Sequence, residues 1–359
     1  MHPQLPAPIA SCYGRGMAQH FVSIIVPVRN EERYIERCLY SIARQDYPRS
    51  QLEIIVVDGQ STDLTREIVN RFAAEYDIDL RLVANPRRKT AAGINIGLDH
   101  ARGDVIIRID GHAAIAPDFL RLSVDALYTS GADCVGGVLD SEGDTYAGRA
   151  IALAMSSPFG VGGAAFRTGG EGETDTVAFG AYRRDVFDRI GRFAEDIDKG
   201  EDDEFNYRLR DHGGRILLVP GIRARYTARG DFGGAWRQYF GYGRAKLEVL
   251  RRHPAQMRPR QLAPAALVAG LGASLVLAGG GKTTALKTLA GVYTLAATIA
   301  SLALARRRGW RHLPLLPAAF ACLHLSYGLG FIAGLLGLAG RILRPAARSG
   351  ARQSTEAPS

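Results

Sequence analysis

The sequence predicts a doubly wound, mainly parallel α/β domain followed by a C-terminal helical membrane region. Three observations carry that expectation. Short β-branched runs alternate with amphipathic helical stretches between residues 21 and 112, the pattern of strands joined by crossover helices. Two of those runs end abruptly in acids, Asp58 and Asp110. After Leu262 the acids almost vanish and Leu, Ala and Gly dominate.

Taken in order, residues 1–20 lack a signal peptide's apolar core and carry Pro3, Pro6 and Pro8. They predict a loose arm, with Met17 an alternative start, and leave the following domain in the cytoplasm. Residues 21–27 form the first strand. A helix fits 31–44, with Ile35, Cys38, Leu39 and Ile42 on one face. Residues 52–57 make a second buried strand, and Ser61 or Thr62 is expected to N-cap the next helix, whose apolar face is Ile68, Val69 and Phe72. Residues 80–84 read as a third strand and 91–101 as a helix.

The run Val105-Ile106-Ile107-Arg108-Ile109 then ends in Asp110-Gly111-His112. In open α/β sheets ligands sit beyond the carboxyl ends of the strands. An Asp and a His two residues apart there suit one bound metal. The plainer reading has Asp110 capping a turn and His112 solvated. Acids at two strand ends favour a nucleotide: one carboxylate can accept from base or ribose donors, the other can hold a cation against the diphosphate.

Four segments carry a family resemblance: Ser-Ile-Ile-Val-Pro-Val-Arg-Asn-Glu (23–31), Val-Val-Asp-Gly-Gln-Ser-Thr-Asp (56–63), Asn-Ile-Gly-Leu (95–98) and Arg-Gly-Asp-Val-Ile-Ile-Arg-Ile-Asp-Gly-His (102–112). Together they resemble family 2 glycosyltransferases of the bacterial exopolysaccharide, succinoglycan-biosynthesis type, over about residues 21–250. The resemblance implies a GT-A fold, the nucleotide-diphospho-sugar transferase type. It implies that Pro27, Asn30, Glu31 and Asp58 line the base and ribose pocket, with Asp63 and Lys89 nearby. Asp110 and His112 take the family's D-x-D positions as nucleotide-sugar and metal residues, the second acid being replaced by histidine. Imidazole suits the later transition metals, so this exchange tilts the cofactor from Mg²⁺ toward Mn²⁺. In the alternative, Asp110 alone holds the metal through water.

Residues 140–172 are Gly-, Ala- and Ser-rich with little periodicity and read as a long acceptor-side lid loop. The segment 179–184, with Gly180 and Tyr182, resembles the family's acceptor wall. Glu201-Asp202-Asp203-Glu204 opens a helix running to Gly213. Acids at a helix start also serve simply to offset its dipole, which is the reading for Asp203 and Glu204. By the family's E-D motif, Asp202 is the catalytic base and Glu201 lies on the acceptor side. A sugar hydroxyl is a poor nucleophile near neutrality, so a carboxylate must take its proton as the bond forms. Like charge at Glu201 and Asp203 is expected to raise the Asp202 pKa.

Residues 236–244 alternate aromatic and basic side chains, like an interfacial helix or a sugar platform. Only Gln238 matches the Q-x-x-R-W motif of processive relatives; Gly241 and Tyr242 stand where Arg and Trp are required. Single-sugar transfer is therefore expected rather than polymerisation. The apolar stretches 262–280, 285–305 and 313–340 have membrane-spanning length. The last contains Pro314 and Pro317, so three spans and four shorter ones stay open. Gly281-Lys282-Thr283 is no P-loop, because Val276 stands where that motif needs glycine.

The net charge of +9 is concentrated beside these apolar runs, at Arg251, Arg252, Arg258 and Arg260 and at Arg306, Arg307, Arg308 and Arg311. That placement marks a membrane partner, and no nucleic-acid motif competes. The four cysteines form no C-x-x-C pair, which excludes a disulfide framework and a zinc site of that type. The expected domains are a 1–20 arm, a 21–250 transferase domain, a 251–261 basic juxtamembrane segment, 262–343 membrane helices and a 344–359 disordered tail. The expected activity is a metal-dependent (Mn²⁺ or Mg²⁺) inverting hexosyl transfer. One sugar moves from a nucleotide-sugar donor, UDP-linked, to a polyprenyl-linked or other membrane acceptor in cell-surface or exopolysaccharide synthesis. The expected place is the bacterial inner membrane, with inner-membrane lipid as partner. Alternatives are a processive synthase and a non-catalytic nucleotide-sugar-binding scaffold.

Overall fold

A computed structural model describes residues 20–342. The expected tail, and all of the expected arm but His20, lie outside the described residues. The chain begins as anticipated: β1 (Val22–Val28), α1 (Ile35–Ala43), β2 (Leu52–Asp58), α2 (Thr65–Glu75), β3 (Asp79–Ala84), α3 (Thr90–His100) and β4 (Val105–Arg108). β2 is buried at every position and β1 at every position but Pro27, as expected of parallel strands covered on both faces. Each Ile or Val so buried contributes about 1.5–3 kcal/mol. The Asn-Ile-Gly-Leu motif has a packing reason. A Cβ at Gly97 would lie 2.4 Å from Ile25, so glycine lets α3 close onto β1. Asn95 pins a distant loop by exchanging hydrogen bonds with the Phe193 backbone at 2.9 and 3.0 Å.

The chain continues through β5 (Ala113–Ile115), α4 (Phe119–Ser130), β6 (Cys134–Glu142), α5 (Tyr146–Met155), α6 (Pro158–Val161), α7 (Ala165–Thr168), β7 (Gly172–Glu173), β8 (Ala178–Arg183), α8 (Asp185–Ile190), α9 (Glu201–Asp211) and β9 (Ile216–Thr227). The sheet runs β3-β2-β1-β4-β8-β6-β9-β5, with β7 on β9. β3, β2, β1 and β4 are parallel, as is β6 to β9. β8 is antiparallel to both β4 and β6, and β5 and β7 are antiparallel to β9. The expectation of a mainly parallel sheet therefore describes its first half. Beyond His112 the one-strand, one-helix alternation that enforces parallel pairing stops.

Two local expectations are corrected. Neither Ser61 nor Thr62 caps α2. The helix starts at Thr65, whose amide donates to Asp63 Oδ1 at 3.1 Å, while the Ser61 amide donates to the Asp58 carboxylate. Residues 140–172 are not a long loop, for the end of β6 and α5, α6, α7 and β7 occupy most of them. Thr145 caps α5 by accepting from the Gly148 amide at 2.8 Å. α5 buries Ala150, Ile151, Ala152, Ala154 and Met155, so it is covered on most sides and shows no single apolar stripe.

α10 (Phe232–Arg252) joins the domain to α11 (Pro259–Gly279), α12 (Thr284–Arg308) and α13 (Leu316–Ile342). Among the described residues three helices are long and apolar enough to cross a membrane, over Pro259–Gly279, Thr284–Arg308 and Trp310–Ala339. α13 is one continuous helix, so the segment does not double back. Pro314 falls in a preceding 3₁₀ turn and Pro317 in the first turn of α13, where a missing N–H costs no helical bond. Leu316, Ala319, Phe320 and Leu323 enter the main core beside α5 and α10 residues. The expected free juxtamembrane charge is partly spent: Arg252 pairs with Asp196 and Arg260 with Asp175, each at 2.6 Å.

α10 and α13 meet through glycines. A Cβ on Gly243 would lie 2.0 Å from the Tyr327 carbonyl oxygen, and one on Gly330 2.0 Å from that of Phe240. We expect Gly243→Leu to force the helices apart and cost at least about 1–3 kcal/mol. Thermal unfolding of the detergent-solubilised chain checks it, and an unchanged midpoint would refute the close approach.

Candidate active site

The parallel strands end on one rim, and three of them turn there through a left-handed residue. Asn30 after β1, Gln60 after β2 and Arg88 after β3 have φ of 55°, 58° and 59°. Non-glycine residues so held cluster at ligand sites. Below the rim lies a cavity of about 890 Å³, within the range of small-molecule sites. Its walls come from the ends of β1 and β4, α6, α7, the start of α9, α10 and the membrane helices.

Asp110 and His112 follow β4, and Glu201 and Asp202 open α9, so both pairs reach the cavity from fixed elements. Arg108, two residues before Asp110, draws them together. Its side chain is 10% exposed and its Nη2 donates to Asp110 Oδ1 at 2.5 Å. The same nitrogen lies 3.3 Å from Glu201 Oε1, and Nη1 is paired with Asp202 Oδ2. Burial works against the Arg108 charge, but Asp110, Asp202 and Glu201 outweigh it and hold its pKa above the ordinary value. The Asp202 carboxyl is pushed up to about 7. Burial is the chief cause. Arg108 opposes it, and Glu201, Asp110 and Asp203 add to it. The expected neighbour charges therefore act, but rank behind desolvation. Asp203 itself is paired with Lys246.

His112 Nδ1 lies 2.9 Å from Glu31 Oε1, and the Glu31 amide donates to Thr65 Oγ1 at 2.8 Å. The Glu31 hydrogen bond and the Asp110 charge raise the His112 pKa against burial, the largest single influence. Among the described residues no three His, Cys, Asp or Glu side chains gather as a closed metal centre. Asp110 and His112 nevertheless fit a cation held partly by its substrate. A carboxylate on Nδ1 fixes the ring and leaves Nε2 to ligate, the arrangement usual for metal-bound histidine. Mg²⁺ and Mn²⁺ sites of this kind take their remaining oxygens from phosphate and water.

The other anticipated residues divide. Pro27, Glu31, Lys89, Asp110, His112, Glu201, Asp202 and Gln238 line the cavity. Lys89 pairs with Asp198 at 3.0 Å. Asn30, Asp58, Asp63, Gly180 and Tyr182 do not line it. Asn30 and Asp58 shape the rim: the Asn30 amide donates to Ser61 Oγ at 2.9 Å, and its Oδ1 accepts from the Thr62 amide at 2.9 Å. Asp63 accepts from the Glu32 and Thr65 amides and from the Thr65 hydroxyl. Those bonds lower its pKa despite burial, which ranks first among the influences and acts upward. Tyr182 is buried in the second core, its hydroxyl donating to Asn206 at 2.8 Å. A Cβ at Gly180 would strike that ring.

Sequence reasoning gave no role to Arg108, Arg167, Lys199, Tyr226 or Arg229, all of which line the cavity. Only Arg108 had a readable signal, a charge inside an otherwise apolar strand.

Comparison with known proteins places these features. Residues 23–191 match the family model described as glycosyl transferase family 2. The chain is 32% identical over 247 residues to the succinoglycan biosynthesis protein ExoA of Rhizobium meliloti (strain 1021), covering 68% of this chain and 74% of that protein. It is 30% identical over 241 residues to the dolichyl N-acetyl-alpha-D-glucosaminyl phosphate 3-beta-D-2,3-diacetamido-2,3-dideoxy-beta-D-glucuronosyltransferase of Methanococcus voltae, covering 65% and 75%. Among solved structures, the mannosyltransferase PcManGT from Pyrobaculum calidifontis, in complex with GDP-Man and Mn²⁺, superposes with a TM-score of 0.60 at 24% identity, over 89% of this chain and 88% of that one. That similarity shows the GT-A fold.

Removing the guanidinium leaves three carboxylates facing one another. We expect Arg108→Gln to lose about 3–5 kcal/mol of stability near pH 8. The deficit narrows toward pH 5, because acid neutralises Asp202, whose folded pKa lies above its unfolded one. Thermal unfolding at the two pH values checks the sign. A deficit that grows on acidification would contradict it.

Proposed function

The chain belongs to glycosyltransferase family 2, and from that premise we propose that it is a membrane-anchored, inverting transferase. It moves one sugar from a nucleotide-sugar donor, UDP-linked, to a lipid-linked acceptor in cell-surface polysaccharide synthesis. The observation that carries this reading is the position of Asp202, a half-buried carboxyl raised to about 7, in a cavity that also takes in Asp110, His112 and residues of the apolar helices. The ExoA and Methanococcus relatives support a cell-surface glycan product and a phosphate-linked lipid acceptor by their names.

In this reading the base and ribose lie along Pro27, Glu31 and Lys89, with Asn30 and Asp58 holding the rim. Asp202 accepts the proton of the acceptor hydroxyl as that oxygen attacks the anomeric carbon from the face opposite the leaving group. A carboxylate with a pKa near 7 is a stronger base than an ordinary aspartate and is about half ionised at neutral pH. Arg108 holds it in place. A divalent metal held by Asp110 and His112 would neutralise charge on the departing diphosphate. The imidazole favours Mn²⁺ over Mg²⁺, and the Mn²⁺ in the archaeal mannosyltransferase complex supports a metal of this class.

The anchor follows from the acceptor: a polyprenyl-linked sugar stays in the bilayer, so the catalyst must meet it there. With the domain in the cytoplasm of a bacterial cell, α11 and α12 return Arg306, Arg307 and Arg308 to the inner face, in keeping with positive-inside orientation.

Two measurements test the proposal. Transfer from a panel of nucleotide sugars in the presence of total membrane lipid should rise with pH through about 7 and level off above it. Asp202→Asn should lower the rate by about 10²–10⁴-fold and remove that rise; a variant as active as wild type would end the base assignment. Metal titration should show Mn²⁺ supporting faster transfer than Mg²⁺, with the preference lost in His112→Ala. Equal preference in both proteins would take the histidine off the metal.

A further inference from the structure

Beyond His112 the cavity changes sign. Tyr226 stands edge-on to the His112 ring at 5.0 Å and begins a patch with no carboxylate in ion-pair contact. Arg167 lies over the Tyr226 ring at 5.5 Å, and its hydrogen-bonding partner is the Ser141 hydroxyl at 3.1 Å. Lys199 lies over Tyr242 at 5.6 Å. Arg229 follows β9, which pairs Tyr226 with Ala113 and so brings Arg229 beside His112. Among the described residues neither Lys199 nor Arg229 forms a hydrogen bond or ion pair. Gln238 joins the two phenols, donating through Nε2 to Tyr226 Oη at 2.7 Å and Tyr242 Oη at 2.9 Å. Both hydroxyl protons are thereby left to donate.

We propose that Arg167, Lys199 and Arg229, with the Tyr226 and Tyr242 hydroxyls, form a subsite for the phosphate or diphosphate group of a membrane-anchored acceptor. The inference rests on the transferase reading above and adds the group that holds the acceptor. Three cations with no ion-paired carboxylate, and two hydroxyl donors, make a receptor for a polyanion, which forms charge-assisted bonds with each. Burial, then the Arg229 charge, lowers the Lys199 pKa, with Glu201 opposing; a bound anion relieves that repulsion. Place selects the acceptor over the donor. The donor's diphosphate belongs at Asp110 and His112, whereas Tyr242, at the far side of this patch, lies on α10 next to Gly243, where that helix docks against α13. A phosphate here is within reach of a chain lying in the bilayer.

The test uses the full chain in detergent, with farnesyl diphosphate, farnesol and UDP plus Mn²⁺ as probes, read by titration calorimetry. Wild type should bind farnesyl diphosphate at least about tenfold more tightly than farnesol. Arg167→Gln combined with Arg229→Gln should abolish that difference and leave UDP affinity within about twofold. Arg229→Gln alone, at an exposed and unpartnered side chain, should lower it partly and keeps the test valid if the double variant misfolds. Loss of UDP binding with farnesyl diphosphate unaffected would assign the cations to the donor and overturn the proposal, as would unchanged binding of both. A wild type that transfers sugar but does not distinguish farnesyl diphosphate from farnesol would sink the subsite alone. Full activity in Asp202→Asn would sink the transferase mechanism whatever the binding results.

Discussion

Arg108 brings a permanent positive charge into a space whose neighbours are the carboxylates of Asp110, Glu201 and Asp202, and the architecture of the site follows from that charge. Three acids so close cannot all ionise without a partner. Asp110 comes from the end of a parallel strand and the other two from a helix about ninety residues later. The guanidinium, with donors in a fixed fork, therefore ties the end of β4 to the start of α9. A buried ion cluster adds little net stability, since desolvation offsets most of the attraction. Its effect is geometric: Asp202 is held at one place, as the proposed base role requires.

Much of this was legible in the residues. The parallel half of the sheet follows from alternating strand and helix patterns, because β-branched runs such as 52–57 bury every position. The acids at strand ends mark the rim. The pattern fails where burial is not one-sided. α5 is covered on most sides, so its alanines and glycine show no stripe and its region reads as loop. The antiparallel β8 and β6 carry no sign of their direction in sequence.

Side-chain partnerships across long separations were the least legible. Asp58 was expected at the ligand; it is 4% exposed and its carboxylate serves the Ser61 amide. The same residue type in the same motif can thus build the rim without facing the cavity. Tyr182 likewise follows the family's acceptor segment yet points into the core, because β8 alternates sides and its register on β4 pairs Tyr182 with Ile106. A one-residue difference in register reverses a side chain's direction, and a motif does not state its register.

α10 explains why the site stands where the soluble fold meets the apolar helices. Gln238 and Tyr242 face the cavity, while Gly243 brings the same helix to backbone contact with α13. The two contacts lie within one turn, about 5.4 Å, so one rigid element carries both a wall of the cavity and the seat of α13. Charge then divides the cavity along its length. Its acidic end, with Asp110 and Glu31 around His112, suits a cation and the groups a cation holds. Its basic end carries cations without carboxylate partners. In the proposed mechanism an anionic acceptor entering from the membrane side is drawn to the second region and a nucleotide carrying its metal to the first, and Asp202 stands beside the boundary where their reacting atoms would meet.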